Sequence, residues 1–435
     1  MVALDYLTGF GNQHESEAVE GALPKGQFSP QQPPLGLFPE QFSTSAFTQP
    51  RSDNRRTWLY RIAPSVMQGD YQPLSRHSGA NRLRSAPDAA TTLGPQPLRW
   101  LPFTDLADAD DFLSNLATLT VAGDAQAKQG GAVHLFRCAQ PMTDTYCCNA
   151  DGELLFMPHT GSLKLRTECG VLIVGVGEIA VVPAGMRFAA DPMDPSPCSG
   201  YVCENYGAPF TLAERGPVGA NGYANERDFL YPCAQFEDRT GDFALVTKFA
   251  GGLYRCELSR SPLNVVAWAG NSAPYKYDLA LFNVMGSVSY DHPDPSIYTV
   301  LTSPTEIAGL ANLDFVIFPP RWQVAEHTFR PPWYHRNCMS ECMGLVRGSY
   351  DAKAEGFLPG GVSLHNAFTP HGPDVPTFDQ ATNAELVPTH TGDGLAFMLE
   401  SRLPYSASDW ALSAPERDHD YTDCWRGLPV RWNDQ

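Results

Sequence analysis

Three residues of types that bind metal ions lie close together near the C-terminal end of the sequence. They are His335, Glu341 and His371, and the stretch 334–374 that contains them holds three of the eleven histidines. Two neutral imidazoles and one carboxylate suit non-haem Fe(II), because three ligands on one octahedral face leave three positions open for substrate and O2. The cluster therefore predicts an Fe(II) site.

The spacing of these residues predicts how the chain brings them together. His335 and Glu341 are six residues apart, so on a continuous strand their side chains would share one face with that of Asn337. His371 follows the turn signal Pro359-Gly360-Gly361, which places it on a different strand or loop. The metal would then lie between two or three strands.

His365 competes with His371 for the third ligand position, since it also follows the Pro-Gly-Gly turn. We expect one of the two histidines to bind the metal. The other would support the ligands or contact a substrate oxygen.

His292 is a candidate general base. It lies in the turn-rich run Tyr290–Pro295, between Asp291 and Asp294. The two carboxylates would favour the imidazolium and so raise the proton affinity of the ring. A solvated surface histidine is the alternative, and the residues alone leave both open.

Other motifs do not lead to a function. Gly175–Ala180 imitates a dinucleotide-binding fingerprint, but the run from Ala180 to Pro183 cannot supply the helix which that motif requires. His14-Glu15 lacks the second histidine of H-E-x-x-H. The absence of G-x-S-x-G, a Walker loop and C-x2-C argues against the usual hydrolases, NTPases and structural zinc sites.

Composition narrows the class of protein. A formal charge of -18 with no basic patch argues against nucleic-acid and anionic-membrane partners. Eleven cysteines, two of them adjacent, fit reduced thiols in a cytosolic enzyme better than a disulfide scaffold. The N-terminus shows no secretory signal pattern, and the longest apolar stretch, 171–183, is too short to span a bilayer. We expect a soluble cytoplasmic protein.

Short strands separated by glycine and proline are the elements that must position these residues. Strand patterns cover Leu154–Met157, Gly170–Val182, Asn264–Ala269, Phe315–Phe318 and Met343–Val346. They predict a β-sandwich or barrel. The best helical pattern is Asp110–Ala122.

Two segments are similar to the second sequence motif of cupins, a family of jelly-roll barrels. The run from Gly177 to Phe188 has phenylalanine at the position of the metal-binding histidine, and the run from Pro359 to His365 keeps the histidine after one extra residue. We interpret them as a metal-free and a metal-bearing version of a jelly-roll half. The alternative is coincidence, since P-x-G turns are common.

The length of 435 residues predicts two domains, or one large β-rich domain with an elaborated partner. A Gly/Pro/Arg-rich tract at 208–241 interrupts the pattern, and apolar periodicity resumes near Leu279, so we divide the chain into 1–279 and 280–435. The segment Gly21–Arg56 has a disorder-like composition but many apolar residues. It is either a flexible loop or an ordered arm packed on the body or on a neighbouring subunit.

Taken together, these segments closely resemble the homogentisate 1,2-dioxygenase family. The resemblance rests on 6–12, 21–24, 46–48 and 58–62 near the N-terminus, and on 330–337, 350–353, 359–361 and 370–374 near the other end. Similarity runs along nearly the whole chain. It implies a mainly β fold with an N-terminal β-sandwich domain and a C-terminal cupin-like domain, in a hexamer built as a dimer of trimers.

The resemblance also implies residue roles. The family's iron ligands fall on His335, Glu341 and His371, and its proton acceptor falls on His292. The substrate contacts that we expect are Tyr350, His371 and His365. Apart from the resemblance, Asn337 or Arg336 is expected to reach the substrate carboxylate. Cys342 stands where a bulkier apolar residue is expected, which questions the local packing.

The implied activity is Fe(II)-dependent cleavage of the homogentisate ring by O2, giving 4-maleylacetoacetate in tyrosine and phenylalanine catabolism. Two alternatives remain. Gentisate-type dioxygenases act on a related ring but use an all-histidine iron site, whereas this chain offers Glu341. A storage or sugar-binding cupin would lack catalysis altogether.

Overall fold

A computed structural model describes residues 4–74, 82–88, 91–104, 110–193, 196–214, 222–286, 298–350, 352–353 and 356–432. Strands dominate these residues, which confirms the mainly β fold class. Three of the five strand patterns lie within a single strand, and Asn264–Ala269 matches the strand Val265–Gly270 except at its first residue. The pattern Gly170–Val182 forms two strands, separated by a turn at 175–177.

The strands are numbered in chain order. In the first part of the chain they are β1 Tyr6–Thr8, β2 His14–Glu17, β3 Phe38–Ser43, β4 Arg56–Arg61, β5 Gln72–Pro73, β6 Thr91–Thr92, β7 Leu98–Trp100, β8 Ala117–Asp124, β9 Gln129–Cys138, β10 Thr145–Asn149, β11 Glu153–Thr160, β12 Leu163–Thr167, β13 Gly170–Val174, β14 Glu178–Val182, β15 Arg187–Pro192, β16 Cys198–Asn205, β17 Thr211–Leu212, β18 Gly222–Tyr223, β19 Leu230–Pro232, β20 Thr240–Phe249, β21 Gly252–Arg260, β22 Val265–Gly270 and β23 Tyr275–Asp278. In the last part they are β24 Asn283–Val284, β25 Thr299–Pro304, β26 Ala311–Phe318, β27 Trp322–Gln323, β28 Ser340–Arg347, β29 Val362–His365, β30 Thr389–His390, β31 Leu395–Ser401 and β32 Tyr405–Ser408. The α-helices are α1 Val375–Asn383 and α2 Asp409–Ser413, with 3-10 helices at Pro34–Gly36, Glu226–Asp228, Leu279–Leu281 and Tyr421–Trp425.

Two large sheets form the N-terminal part. One has the strand order β1-β19-β23-β14-β11-β16-β9-β8-β32-β6, and the other has the order β13-β12-β15-β10-β20-β21-β5. Buried aromatic rings pack together in the core, among them Phe112, Phe136, Phe156 and Phe188. Side chains that alternate inward along each strand supply this core, as the period of two requires.

A third sheet carries the region of interest, in the order β17-β25-β26-β31-β28-β29-β7. Its edge strands β7 and β17 come from the first half of the chain, while β32 returns to the ten-stranded sheet. The hydroxyl of Tyr201 on β16 donates to the carbonyls of Leu345 and Gly361, at 3.1 and 3.0 Å. The N-terminal and C-terminal parts of the chain thus contribute strands to each other's sheets. The domain boundary at 279/280 stays a prediction.

The arm at 21–56 lies against a small sheet of order β2-β22-β4-β3. Its strand β3 pairs with β4, Ala22 and Leu37 are buried in the sheet's own core, and the ring of Phe28 stacks on Trp58. This confirms an ordered arm packed on the body. Phe47 is 78% exposed, and its contact with a neighbouring subunit stays a prediction.

The predicted helix at Asp110–Ala122 is wrong. The chain makes a turn at 112–115, in which the Asp111 carboxylate accepts a hydrogen bond from the Ser114 amide, and β8 then begins at Ala117. Thr118, Thr120 and Val121 are β-branched, which favours a strand. The pairing of β8 with β9 and β32 favours the strand over the helix.

The two cupin-like segments have a similar local structure. In the first, the turn at 183–186 joins β14 to β15 and places Phe188 in the core. In the second, a turn with Gly360 at φ +91° leads into β29 and places His365 at its end. Both glycines of these turns, Gly185 and Gly360, have the positive φ that favours glycine.

Candidate metal centre

His335, Glu341 and His371 come together at one end of the third sheet. Potential ligand atoms of the three side chains all lie within 4.8 Å of one another. In the described part of the chain, no other group of three such residues meets this distance. The structure thus brings together the residues singled out from the sequence, whose role as ligands remains a proposal.

The backbone reaches this arrangement differently from the sequence-based expectation. His335 is not on a continuous strand with Glu341, because β28 begins only at Ser340. Asn337 turns the chain before the strand, where its Oδ1 accepts a hydrogen bond from the Met339 amide at 3.0 Å. His335 instead pairs with His371 in an isolated antiparallel bridge, with N–O distances of 2.9 and 3.2 Å.

Backbone carbonyls orient both imidazoles. Nδ1 of His335 lies 2.7 Å from the carbonyl oxygen of Trp333, and Nδ1 of His371 lies 2.9 Å from that of Thr369. A neutral ring that donates from Nδ1 keeps Nε2 unprotonated, which is the form that binds a metal. Nε2 of His371 and His335 lies 2.9 and 3.8 Å from the Glu341 carboxylate oxygens.

The surroundings of Glu341 keep it ionised. Burial by itself would raise its pKa, but the imidazoles of His335, His365 and His371 around the carboxylate outweigh this effect and hold the pKa well below its usual value. An ionised carboxylate beside neutral imidazoles is the donor set that a divalent metal requires.

His365 lies beside the cluster. It is paired with Glu341 across β28 and β29, and its ring stacks on that of His371 with centroids 4.0 Å apart. Its Nε2 lies 2.7 Å from the Tyr421 hydroxyl. Burial lowers the pKa of His365 to about 3, so the ring is neutral at physiological pH. Of the two competing histidines, His371 is the one within the three-residue cluster.

Asn337 and Glu400 border the cluster on its other side. The Asn337 amide donates to Oε1 of Glu341 at 3.2 Å and to Oε1 of Glu400 at 3.0 Å. Glu400 was not foreseen from the sequence. A buried carboxylate at the end of the apolar run Leu395–Leu399 was the signal that could have found it.

An apolar face extends from the two carboxylates along the sheet. Directly paired residues share a face, so the pairs Glu341–Glu400, Met343–Met398 and Leu345–Ala396 form a continuous surface on β28 and β31. Val316, Phe318 and Phe357 complete this apolar cluster. The surface could pack against an aromatic ring while its polar end faces hydroxyl groups.

Tyr350 lies at this apolar face. Its ring contacts Phe318 edge to face at 5.2 Å and Phe357 at 6.3 Å. Cys342 points to the opposite side of β28, into the main core opposite Leu399, so the unexpected cysteine is accommodated away from the cluster. His292, the expected base, lies outside the described residues.

Comparisons with known proteins cover nearly the whole chain. The family model described as homogentisate 1,2-dioxygenase N-terminal matches residues 5–279, and the one described as homogentisate 1,2-dioxygenase C-terminal matches residues 280–432. A homogentisate 1,2-dioxygenase of Rhodopseudomonas palustris is 51% identical over 98% of this chain and 95% of its own length. One of Pseudomonas fluorescens is 52% identical over 99% of this chain and 97% of its own length.

Solved structures give weaker matches. A cupin 2 conserved barrel domain protein from Leptotrichia buccalis aligns with 71% of this chain and 96% of its own, with 10% identity and a TM-score of 0.32. An oxalate decarboxylase from Bacillus subtilis aligns with 76% of this chain and 87% of its own, with 12% identity and a TM-score of 0.30. No helix among the described residues has the length and apolar character needed to cross a membrane.

Proposed function

Because the chain belongs to the homogentisate 1,2-dioxygenase family, we propose that it opens the aromatic ring of homogentisate with O2 to give 4-maleylacetoacetate. It is thus an oxidoreductase of tyrosine and phenylalanine catabolism. The observation that carries the proposal is the cluster of His335, Glu341 and His371 at the end of an apolar face.

The donor set fits Fe(II). Two imidazoles held by backbone carbonyls and one buried carboxylate are the ligands of non-haem iron sites that leave positions open for substrate and O2. Fe(II) would be held by His335, Glu341 and His371. When bound there, it would supply the redox chemistry by which O2 reacts with an aromatic ring.

The residues around the cluster would bind and orient the substrate. The apolar face with Met343 and Phe318 would pack against the ring, and the Tyr350 hydroxyl would orient it. At the polar end, the two N–H groups of Asn337 bond the carboxylates of Glu341 and Glu400, so Asn337 would contact substrate by exchanging one of these acceptors for a substrate oxygen. The Glu400 carboxylate can accept a hydrogen bond from a substrate hydroxyl group. His371 and His365 would complete the contacts on the metal side.

His292 would take the phenolic proton. Ionising the phenol next to a dication is favourable, and a nearby imidazole can accept the proton that is released. This role comes from the family resemblance and from the flanking Asp291 and Asp294.

We further propose a cytoplasmic homo-oligomer, a hexamer by family resemblance. All eleven cysteines are free thiols, which supports a reducing compartment. The exposed Phe47 of the arm would lie at a subunit interface. Light scattering of Phe47→Asp tests this, with Val66→Asp as a control at a similarly exposed position. A wild-type mass for Phe47→Asp would contradict the placement.

Oxygen uptake tests the proposed reaction. Protein loaded with Fe(II) under anaerobic conditions is given homogentisate, and gentisate serves as the paired control. Uptake with homogentisate alone is the expected result. Uptake with gentisate alone would move the assignment to that substrate, and a protein that binds no metal would contradict catalysis.

A further inference from the structure

Four buried side chains form a row that ends at Glu341. The guanidinium carbon of Arg99, on β7, lies 3.9 Å from the ring centroid of Tyr421. The Tyr421 hydroxyl lies 2.7 Å from Nε2 of His365, and Nδ1 of His365 lies 3.8 Å from Oε2 of Glu341. Each of the four residues is at most 7% exposed.

The carboxylate at the end of the row determines the direction of its hydrogen bonds. A carboxylate only accepts, so Nδ1, the His365 nitrogen that faces Glu341, is the one that carries the ring proton. Nε2 is then the unprotonated nitrogen, and it accepts a hydrogen bond from the Tyr421 hydroxyl. The Arg99 guanidinium stacks on the Tyr421 ring from the other side of the row.

We propose that Tyr421 is a positioning residue of the metal centre, because its hydroxyl holds His365 in the tautomer whose Nδ1–H faces the Glu341 carboxylate. The inference rests on the proposed function, in which Glu341 is a ligand. The N–H dipole stabilises the carboxylate in one orientation, and the His365 ring stacked on His371 restrains the second ligand.

The surrounding structure holds Tyr421 in place. Its 3-10 helix follows Asp418, whose amide donates to the Arg99 carbonyl at 2.9 Å. At the other end, the Trp425 indole and the Lys353 ammonium donate to the carbonyl of Gly372, at 3.3 and 2.9 Å. Gly372 directly follows His371, so the C-terminal segment is attached to both sides of the site.

Tyr421→Phe removes the hydroxyl and keeps the ring. Tyr405→Phe is the matched control, because its buried hydroxyl donates to a backbone carbonyl, that of Leu399, at 3.3 Å. The first readout is Zn2+ affinity, measured by competition with a chelator. Loss of a partner that orients a ligand weakens metal binding about 10- to 100-fold, which is the expected result for Tyr421→Phe alone.

The second readout is the tautomer of His365, from the 15N shifts of its ring, assigned by their loss in His365→Asn. Wild-type protein is expected to carry the proton on Nδ1, and Tyr421→Phe is expected to shift the ring towards a mixture. A wild-type proton on Nε2 would overturn the inference, even if Tyr421→Phe does not fold. A folded Tyr421→Phe with wild-type affinity and tautomer would do the same.

These outcomes separate the inference from the function it rests on. If wild-type protein binds no Zn2+, the metal centre itself is wrong. The 15N shifts of the metal-free protein still report which nitrogen of His365 carries the proton. The proposed role of Tyr421 is therefore tested independently of metal binding.

Discussion

Glu341 and Glu400 lie directly opposite each other on neighbouring antiparallel strands, and a single amide group joins their carboxylates. Like charges in directly opposed positions destabilise a strand pair. The Asn337 amide and the imidazoles beside Glu341 must offset this repulsion. Asn337 therefore stabilises the site itself, in addition to its proposed contact with substrate.

Asn337→Leu should destabilise the metal-free protein, because it removes both hydrogen bonds and leaves the two carboxylates facing each other. We expect the free energy of unfolding to fall by about 1–3 kcal/mol in urea denaturation. Adding Glu400→Gln removes one of the charges, so the double variant should recover part of the loss. Strictly additive effects of the two substitutions would contradict the coupling.

Glu341→Gln and Glu400→Gln should separate metal binding from substrate chemistry. Both side chains are buried and paired with each other, but only Glu341 is a proposed ligand. Reconstitution with Fe(II), dialysis and elemental analysis should show metal lost from Glu341→Gln and retained in Glu400→Gln. Metal retained equally in both variants would remove Glu341 from the ligand set.

His292→Ala should keep iron and lose most turnover. General-base catalysis contributes about 100- to 10,000-fold, so kcat should fall within that range. Steady-state oxygen uptake and iron content, measured on the same preparation, check both parts. A normal kcat would exclude His292 as the essential base, and loss of iron would point to a role at the metal instead.

Acid should destabilise the protein partly through His159. Burial lowers the pKa of His159 to about 4 from 6.5 in an unfolded chain. As the pH falls from 6.5 towards 4, the unfolded chain takes up a proton that the folded chain does not, so stability is lost in this window and fully present above it. His159→Gln should reduce the slope of the unfolding free energy against pH by up to about 1.4 kcal/mol per pH unit. The exposed His419→Gln is the control, and an equal slope in His159→Gln and wild type would contradict this account.

The sequence predicts the strands well, because alternating apolar residues report a buried face directly. It also indicates His335, Glu341 and His371 as candidate metal ligands, because histidine and glutamate are residue types that bind metal ions. The prediction of a helix at Asp110–Ala122 was wrong because the apolar residues there fit both the helical and the strand period, and pairing with β9 and β32 makes the segment a strand. The spacing of residues within the segment carries no information about that pairing.

The side chains around the cluster were harder to foresee. Tyr421 bonds His365, and Arg99 stacks on Tyr421. Both come from distant parts of the chain: β7 places Arg99 next to β29 in the third sheet, and the C-terminal 3-10 helix carries Tyr421. The expected strand through His335 and Glu341 failed because the Asn337 side chain accepts a local backbone hydrogen bond that ends the extended run.

The most direct test of the proposed reaction is the fate of 18O2 in protein loaded with Fe(II) and given homogentisate. A ring-cleaving dioxygenase places both labelled atoms in the product, and mass spectrometry of 4-maleylacetoacetate should show this, with loss of the label in Glu341→Gln through loss of turnover. Consumption of O2 with no label in the organic product would contradict the proposed reaction.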